Sequence, residues 1–322
     1  MMDDKTSYCK EVLPVPEITD RPVWSVMIPT YNCANYLREA LISVLSQDPG
    51  PEFMQIEVID DCSTIDDPEL VVQEVGNGRI SFYRQPHNVG ITKNFQTCLD
   101  RSKGKLIHLL HGDDCVRDGF YKRLQQAFED NPSIGAAFCR TISMDECSRW
   151  LWITELLQPE SGILTNWLEK IAIKQLICTP SIAIRREVYE NLGGFDTRLS
   201  SVEDWEMYVR IAVHYQIWYE IEPLAMYRRH SNSNTARHVR TAKEIQNLRK
   251  AVEIIQSYLP KTLAKKTGNL ALENWAFYSL YLASKSFRNN EPKIAYSLIK
   301  EGLKCSHSPK IFKELLNMML RL

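Results

Sequence analysis

Two pairs of adjacent carboxylates follow short apolar stretches of the chain. "IEVIDD" ends on Asp60 and Asp61, and "KLIHLLHGDD" ends on Asp113 and Asp114. Carboxylates at such positions can bind a divalent cation, because Mg²⁺ and Mn²⁺ take oxygen ligands and commonly combine one or two carboxylates with substrate phosphates. They can also accept hydrogen bonds from the hydroxyl or imide groups of a ligand. Helix caps and turns use the same residue types, so the pairs alone leave these alternatives open.

A third acidic segment, "VEDWEMYVRIA", places Glu203 and Asp204 at the start of a helix-periodic run. A carboxylate near a substrate hydroxyl can take its proton as a general base. Acidic residues in the first turn of a helix also interact favourably with the helix dipole. Taken by itself, the segment is better explained by the dipole.

The elements that must position these residues alternate between strands and helices. Strands are predicted at 24–28, 56–60, 79–84, 105–110 and 134–139, and helices at 36–47, 67–75, 92–102 and 118–130. This alternation predicts an α/β fold with a mainly parallel sheet flanked by helices. Ligands of such sheets bind beyond the carboxyl ends of the strands. Because Asn32 and both carboxylate pairs follow predicted strands, we expect them to share one site.

The rest of the chain divides into a short lead-in and a helical end. Residues 1–22 contain three prolines and are predicted to be extended. A strand, a short helix and a glycine turn are predicted over 181–196, and a helix over 201–215. From about residue 240 onward the pattern is helical. We therefore expect an α/β domain over 23–235 and an all-α extension over 236–322.

Composition limits the classes of function. The formal net charge is −1, so the chain has no general basic field for nucleic acid. Nine scattered cysteines without a C-x-x-C pair indicate reduced thiols rather than a disulfide framework or a zinc site. No apolar stretch reaches the length of a membrane span, and the first residues lack the apolar core of a signal peptide. We expect a cytoplasmic protein, and peripheral contact with the inner face of the membrane is left open.

Six segments together resemble the family 2 glycosyltransferases in order and spacing. They are "SVMIPTYNCANYLREALISVLSQ", "IEVIDDCS", "NVGITKNF", "LIHLLHGDD", "NLGGFD" and "VEDWEMYVRIA", and the resemblance covers about residues 23–232. It implies the GT-A fold (the Rossmann-like fold of transferases that use nucleotide-diphosphate sugars). It also implies an inverting hexosyl transfer with a divalent metal, Mn²⁺ or Mg²⁺. The expected acceptor is a glycan or lipid-linked hydroxyl in cell-surface polysaccharide synthesis, and UDP is the commonest donor nucleotide of the family.

The resemblance also assigns residues of the donor site. Asp61 would bind the edge of the base, Asp113 would bind ribose or sugar hydroxyls, and Asp114 would ligate the metal. His230 is a further candidate metal ligand, and surface charge is an equally good explanation for the "MYRRHSNS" segment that contains it. The full set expected to bind the nucleotide-sugar is Pro29, Thr30, Tyr31, Asn32, Asp61, Asn88, Gly90, Lys93, Asn94, Asp113 and Arg229.

On the acceptor side, the resemblance identifies Asp204 as the catalytic base. An inverting transfer needs one carboxylate to take the acceptor proton, and a metal can screen the charge that develops on the diphosphate. Glu203 would orient or bind the acceptor, and the turn of Gly193, Gly194 and Phe195 would lie under it. The sequence departs from the family pattern at His111, which occupies the place where many relatives carry a third acid.

Other enzyme classes lack their signatures in this sequence. The loop "PTYNCAN" has no glycine for a dinucleotide-binding fingerprint, and the chain contains no G-x-x-x-x-G-K-[ST] phosphate loop. The remaining alternatives are a nucleotidyltransferase-like enzyme and a degenerate sugar-binding protein that keeps the fold. The amphipathic C-terminal helices are predicted either to cover the sheet and mediate self-association or to contact a membrane.

Overall fold

A computed structural model describes residues 8–16 and 21–320 of the chain. They form two compact units. The first comprises the described residues up to Thr165 together with Ile177–Arg198 and His214–Arg229. The second comprises Asn166–Leu176, Leu199–Val213 and the described residues from His230 onward. The predicted domain limits of 23–235 and 236–322 remain a prediction.

The first unit contains all ten strands of the described chain and five α-helices. Its strands are β1 (Trp24–Thr30), β2 (Met54–Asp60), β3 (Ser81–Arg84), β4 (Leu106–Leu109), β5 (Cys115–Val116), β6 (Ile134–Met144), β7 (Trp150–Ile153), β8 (Gly162–Ile163), β9 (Ile182–Arg185) and β10 (Gln216–Arg228). Its helices are α1 (Ala34–Leu45), α2 (Pro68–Gly76), α3 (Ile91–Arg101), α4 (Phe120–Asp130) and, after α5 of the second unit, α6 (Arg186–Leu192). The turn at Thr179–Ser181 is a short 3-10 helix.

One mixed sheet runs through this unit in the order β3-β2-β1-β4-β9-β6-β10-β5. Strands β3, β2, β1 and β4 are mutually parallel, as the βαβ pattern predicts. Strand β9 enters between β4 and β6 and is antiparallel to both. Strand β7 pairs with β6, and β8 pairs with β10. The carboxyl ends of β1, β2 and β4 therefore lie at one edge of the sheet.

Burial explains why the early elements were predictable. All seven residues of β1 are buried, and α1 buries Leu37, Ala40, Leu41 and Val44 at helical spacing. The later strands depart from the prediction. Strand β6 continues to Met144 instead of ending near residue 139, and β5, β7, β8 and β10 were not predicted. The sequence of β10 interrupts the apolar pattern with Glu220, Glu222 and Pro223, and its register with β6 shifts at Pro223.

A buried histidine joins β4 to the turn that precedes β9. Nε2 of His108 lies 3.0 Å from the carbonyl oxygen of Pro180, and Nδ1 lies 3.2 Å from the hydroxyl of Tyr121. Burial lowers the pKa of His108 to about 3. Because a carbonyl oxygen only accepts hydrogen bonds, the single proton of the neutral ring is on Nε2. Tyr121 then donates its hydroxyl proton to Nδ1.

The second unit is helical. It contains α5 (Trp167–Ile173), α7 (Glu203–His214), α8 (Asn234–Arg240), α9 (Lys243–Tyr258), α10 (Lys261–Arg288), α11 (Pro292–Cys305) and α12 (Pro309–Leu320). The predicted apolar stripe on α9 is buried, including Ile245, Leu248, Val252 and Ile255. Within this unit, Trp205 of α7 donates from its indole nitrogen to the carbonyl oxygen of Ile171 at 2.7 Å. Among the described residues, no helix has the length and apolarity to cross a bilayer.

The predicted lead-in is described only in part. Residues 1–7 and 17–20 of this segment lie outside the described residues. Over residues 8–16 the chain contains no long helix or strand, and Cys9 forms an isolated antiparallel bridge with Asp196.

Candidate active site

The ends of β1 and β4 approach each other closely at Gly112. The amide of Gly112 donates to the carbonyl oxygen of Pro29 at 3.0 Å. A Cβ atom at this position would lie 2.8 Å from Oγ1 of Thr30 and 3.2 Å from Sγ of Cys33. Only glycine therefore allows the "GDD" segment to lie against the "PTYN" segment. This contact brings two of the predicted ligand loops together.

The two carboxylates at the end of β2 both hold loop backbone. Asp60 is fully buried, accepts from the amide and the hydroxyl of Ser63 at 3.1 and 2.6 Å and forms an ion pair with Arg84 at 2.8 Å. The carboxylate of Asp61 accepts from the amides of Val89 and Gly90 at 2.7 and 3.0 Å. Burial raises the pKa of Asp61, and these amides partly oppose that effect. Asp61 thus joins the "IDDCS" loop to the "NVGITKNF" loop, and each carboxylate oxygen can accept another hydrogen bond from a ligand.

Two asparagines predicted in the donor site also hydrogen-bond to the backbone of neighbouring segments. Asn32 has a φ of 53°, and its Oδ1 accepts from the amides of Thr64 and Ile65 at 2.8 and 3.2 Å. Asn94 is buried, donates to the carbonyl oxygen of Ile59 at 3.0 Å and accepts from Gln85. A direct contact of Asn94 with a sugar remains a prediction.

The other predicted donor residues follow the same edge of the sheet. Pro29 and Thr30 are buried, and Tyr31 is partly exposed beside them. Asn88 is exposed and donates to the carbonyl oxygen of Asp61 at 3.2 Å, while Lys93 is exposed on the first turn of α3. The side chains of Tyr31, Asn88 and Lys93 are therefore accessible to a ligand, in contrast to that of Asn94.

Three potential metal ligands converge after β4. The side chains of His111, Asp113 and Asp114 each offer a ligand atom, and these atoms lie within 4.8 Å of one another. Asp114 is fully buried, and burial raises its pKa to about 6. The Oδ2 atom of Asp114 accepts no hydrogen bond from the described residues and lies 3.4 Å from Nδ1 of His111. The sequence pattern assigned no role to His111, although its position in the place of an acid was the signal that could have identified it.

Phe95 orients His111, and it also reaches the predicted acceptor turn. The imidazole ring stacks on Phe95 with centroids 5.4 Å apart and an interplanar angle of 16°. Phe95 packs on Phe195 at 5.1 Å. Phe195 is buried, and Gly193 before it has a φ of 77°. The turn of Gly193, Gly194 and Phe195 is thus connected to the candidate metal ligands through one aromatic residue, Phe95.

The buried Arg228 holds the Asp113–Asp114 segment through hydrogen bonds. The amide of Arg228 donates to Oδ1 of Asp114 at 2.8 Å, and its Nε donates to the carbonyl oxygen of Asp113 at 2.8 Å. The guanidinium also donates to Glu39 at 2.6 Å and to the hydroxyl of Ser148 at 2.8 Å. The predicted ligand residue was the next one, Arg229. Its side chain is exposed, and its guanidinium lies over the ring of Trp152.

The remaining candidates belong to the helical unit. Asp204 is partly exposed on the first turn of α7 and Glu203 is buried beside it. Oδ2 of Asp204 accepts from Nε2 of Gln175 at 2.8 Å, and Oδ1 accepts from the amide of Trp205 at 2.8 Å. Val202 has a φ of 59°, which is unusual for a β-branched residue. His230 is partly exposed in the same unit, and its role as a metal ligand remains a prediction.

The model of the family described as "Glycosyl transferase family 2" matches residues 25–193, which is more than half of the chain. The chain belongs to the family 2 glycosyltransferases. The match contains all of β1 except Trp24, all of β2 to β4, both carboxylate pairs and the first residue of the glycine turn, so the resemblance to this family is confirmed. The chain is therefore a glycosyltransferase enzyme.

A relative agrees with this family 2 glycosyltransferase assignment, and solved structures share the fold. The chain is 25% identical over 246 residues to an uncharacterized glycosyltransferase of Haemophilus influenzae, covering 74% of this chain and 78% of the relative. It superposes on S. aureus TarS 1-349 in complex with UDP-GlcNAc with a TM-score of 0.63 and 15% identity, covering 87% of this chain and 91% of that one. It spans 43% of a longer TarS chain.

A further solved structure is the mannosyltransferase PcManGT from Pyrobaculum calidifontis in complex with GDP-Man and Mn²⁺. Its TM-score is 0.55 at 17% identity, with 94% of this chain and 91% of that chain covered. At these identities the structural likeness establishes the fold. The predicted GT-A fold with additional C-terminal helices is confirmed.

Proposed function

We propose that this protein transfers a hexosyl unit, with inversion, from a nucleotide-diphosphate sugar to a hydroxyl of a glycan or lipid-linked acceptor. The single observation that carries the proposal is the convergence of His111, Asp113 and Asp114 at the end of β4. This cluster lies against the "PTYN" segment through Gly112, where the resemblance expects the nucleotide. The related structures that hold UDP-GlcNAc or GDP-Man support a donor of this class.

On the donor side, the framework residues fix three loops around the end of the sheet. Asp61 binds the backbone of Val89 and Gly90, and Asn32 binds the backbone of Thr64 and Ile65. We propose that the outward faces of these loops bind base and ribose, with Tyr31 packing on the base and Asp61 accepting from its edge. A rigid loop framework avoids part of the ordering cost on binding.

The residues after β4 fit a divalent cation. A buried carboxylate oxygen that accepts no hydrogen bond from the described residues is costly unless a ligand binds it. One imidazole and two carboxylates form a donor set that suits Mn²⁺ at least as well as Mg²⁺, because imidazole is a softer ligand than water or carboxylate. His111, Asp113 and Asp114 would hold the metal. When bound, it would screen the negative charge that develops on the leaving diphosphate.

On the acceptor side, Asp204 would take the proton of the attacking hydroxyl. Its carboxylate is partly exposed, whereas that of Glu203 is buried, so Asp204 is the better placed of the two to contact a substrate. Gln175 and the amide of Trp205 each donate to one of its oxygens, which orients the carboxylate. Such fixed orientation favours general-base catalysis.

The proposal is tested by measuring consumption of UDP-GlcNAc and GDP-Man with and without Mn²⁺. We expect metal-dependent release of nucleoside diphosphate from one of these donors. Asp114→Asn and Asp204→Asn should each reduce the rate by at least about 100-fold, while Asp118→Asn, at an exposed carboxylate, should not. Unchanged rates in both site variants would contradict the proposed roles.

Binding measurements separate the two roles. Asp114→Asn and His111→Ala should weaken Mn²⁺ binding by at least about tenfold, since each removes one ligand. Asp204→Asn should leave Mn²⁺ affinity unchanged. His214→Ala, at an exposed position of α7, is the matched control for the histidine variant.

A further inference from the structure

The last described helix, α12, exposes an apolar stripe. Phe312, Leu316, Met319 and Leu320 are 51%, 58%, 63% and 77% exposed. Their spacing of four, seven and eight residues from Phe312 places them on one side of the helix. Ile311 and Met318 are buried on another side and attach the helix to its unit. The exposed stripe is therefore additional to the apolar surface that folding requires.

The charge of the surrounding segment is strongly asymmetric. Between residues 261 and 320 the sequence contains ten Lys or Arg and four Glu, a net charge of +6, whereas the whole chain has −1. Lys313 is exposed and follows Phe312 along the helix, so it flanks the stripe. Lys310 is 75% exposed and lies 3.6 Å from Glu273. The positive charge is thus concentrated in the helices α10 to α12.

We propose that α12 docks on an anionic phospholipid surface, with Phe312, Leu316, Met319 and Leu320 in the interface and Lys313 against the headgroups. An apolar stripe with a lysine beside it, in a helical segment of net charge +6, has the composition of a helix that lies in a membrane interface. A second copy of the chain fits less well, because two segments of net charge +6 would repel each other. The inference goes beyond the proposed transfer reaction and does not depend on it.

Vesicle flotation of the whole protein tests the proposal. We expect binding to phosphatidylcholine vesicles that contain about one-third phosphatidylglycerol, and little binding to phosphatidylcholine alone. Binding should fall at least about tenfold between roughly 0.1 M and 0.5 M NaCl, because salt screens the charge attraction. Equal binding to both kinds of vesicle, or none, would overturn the proposal.

Variants identify the responsible surface. Phe312→Ser with Leu316→Ser should reduce binding to anionic vesicles at least about tenfold, and Lys313→Glu should reduce it less. Leu70→Ser and Lys122→Glu change exposed side chains on α2 and α4 and should bind as the wild type does. Wild-type binding by the double variant would assign the lipid contact elsewhere and overturn the proposal.

Two further measurements separate lipid binding from misfolding and from self-association. Thermal unfolding without lipid should be unchanged within a few degrees for the double variant, because both side chains are exposed. Light scattering should give a monomer in the absence of lipid. A dimer that the double variant abolishes would assign the stripe to a second copy and overturn the lipid assignment. Release of nucleoside diphosphate, measured without lipid, should be the same in all these variants.

Discussion

Arg228 and Asp114 are joined by a hydrogen bond of 2.8 Å between the backbone amide of the former and Oδ1 of the latter. The same arginine holds the carbonyl oxygen of Asp113 through its guanidinium. Both residues are buried, and they are separated by 114 positions in the chain. The geometry of the candidate metal ligands therefore depends on a strand that lies outside the region matched by the family model.

The first prediction concerns this arginine. Arg228→Lys keeps the charge but removes the planar fork that reaches Asp113, Glu39 and Ser148 together. We expect the free energy of unfolding to fall by about 2–4 kcal/mol and Mn²⁺ affinity to fall roughly 10-fold or more. Urea unfolding and calorimetric Mn²⁺ titration measure the two effects. The exposed Arg229→Lys should change unfolding by less than about 0.5 kcal/mol, and equal effects of both variants would refute the supporting role.

The second prediction concerns Gln175, which donates to Asp204 at 2.8 Å. Gln175→Ala leaves the carboxylate in place but removes a donor that orients it. We expect kcat to fall about tenfold with little change in the KM for the donor, since Gln175 belongs to the helical unit. Steady-state kinetics with the active donor measure this. Gln175→Glu, which places a like charge beside Asp204, should reduce kcat further, and a larger effect on KM than on kcat would contradict the assignment.

The third prediction concerns Glu244, whose carboxyl group is buried near Ser201 and Asp204. Burial raises its pKa to about 7, and the charge of Asp204 acts in the same direction. The folded state therefore binds this proton more tightly than the unfolded state, whose glutamate titrates near pH 4.5. Stability from this group is complete below pH 4.5 and is lost as the pH rises through about 7.

The second half of this prediction is a variant, Glu244→Gln, which has no carboxyl group to titrate and therefore does not lose stability as the pH rises through about 7. We expect the variant to unfold like the wild type at about pH 4 and to be more stable by roughly 1–3 kcal/mol at about pH 8.5. Urea unfolding at the two pH values measures the difference. Glu253→Gln, at an exposed position of the same helix, is the control. A stabilisation of equal size at both pH values would show that titration of Glu244 is not its cause.

The fourth prediction concerns the contact between β1 and the segment after β4. Gly112→Ala would place a Cβ atom 2.8 Å from Oγ1 of Thr30, so one of the two segments must move. We expect a loss of about 1–3 kcal/mol of unfolding free energy, together with weaker donor binding. Gly162→Ala, whose added Cβ would meet only the side chain of Gln158 at 3.4 Å, is the control. Normal donor affinity in the Gly112 variant would show that this contact does not shape the donor site.

Much of the fold could be predicted because the strands and helices of its first half follow one another closely along the chain. The βαβ units place apolar periodicity and turn residues next to one another, so β1 to β4 and α1 to α4 were predicted close to their bounds. Strand β10 could not be predicted, since Glu220, Glu222 and Pro223 interrupt its apolar pattern. Its pairing with β6 stabilises the strand instead. Pairing across such distances leaves no periodic trace in one sequence.

For the candidate site, too, the sequence does not reveal which contacts each residue makes. Sequence patterns identified Asp61 and Asn32 as polar residues at strand ends, and the family resemblance added Asn94, yet polar groups that hold a loop and those that bind a ligand are the same chemical types. Only their hydrogen bonds reveal that Asn94 is used internally. The contribution of Arg228 was hidden for a related reason, because its partners are far from it along the chain.

His108 gives this molecule an internal spectroscopic reporter. Its ring stays neutral down to about pH 3, and its Nε2 proton is hydrogen-bonded to Pro180 in a buried environment. A proton held in this way exchanges slowly with solvent and gives a resolved downfield NMR signal. Since the bond joins β4 to the segment before β9, the disappearance of that signal would time the separation of these two elements during unfolding.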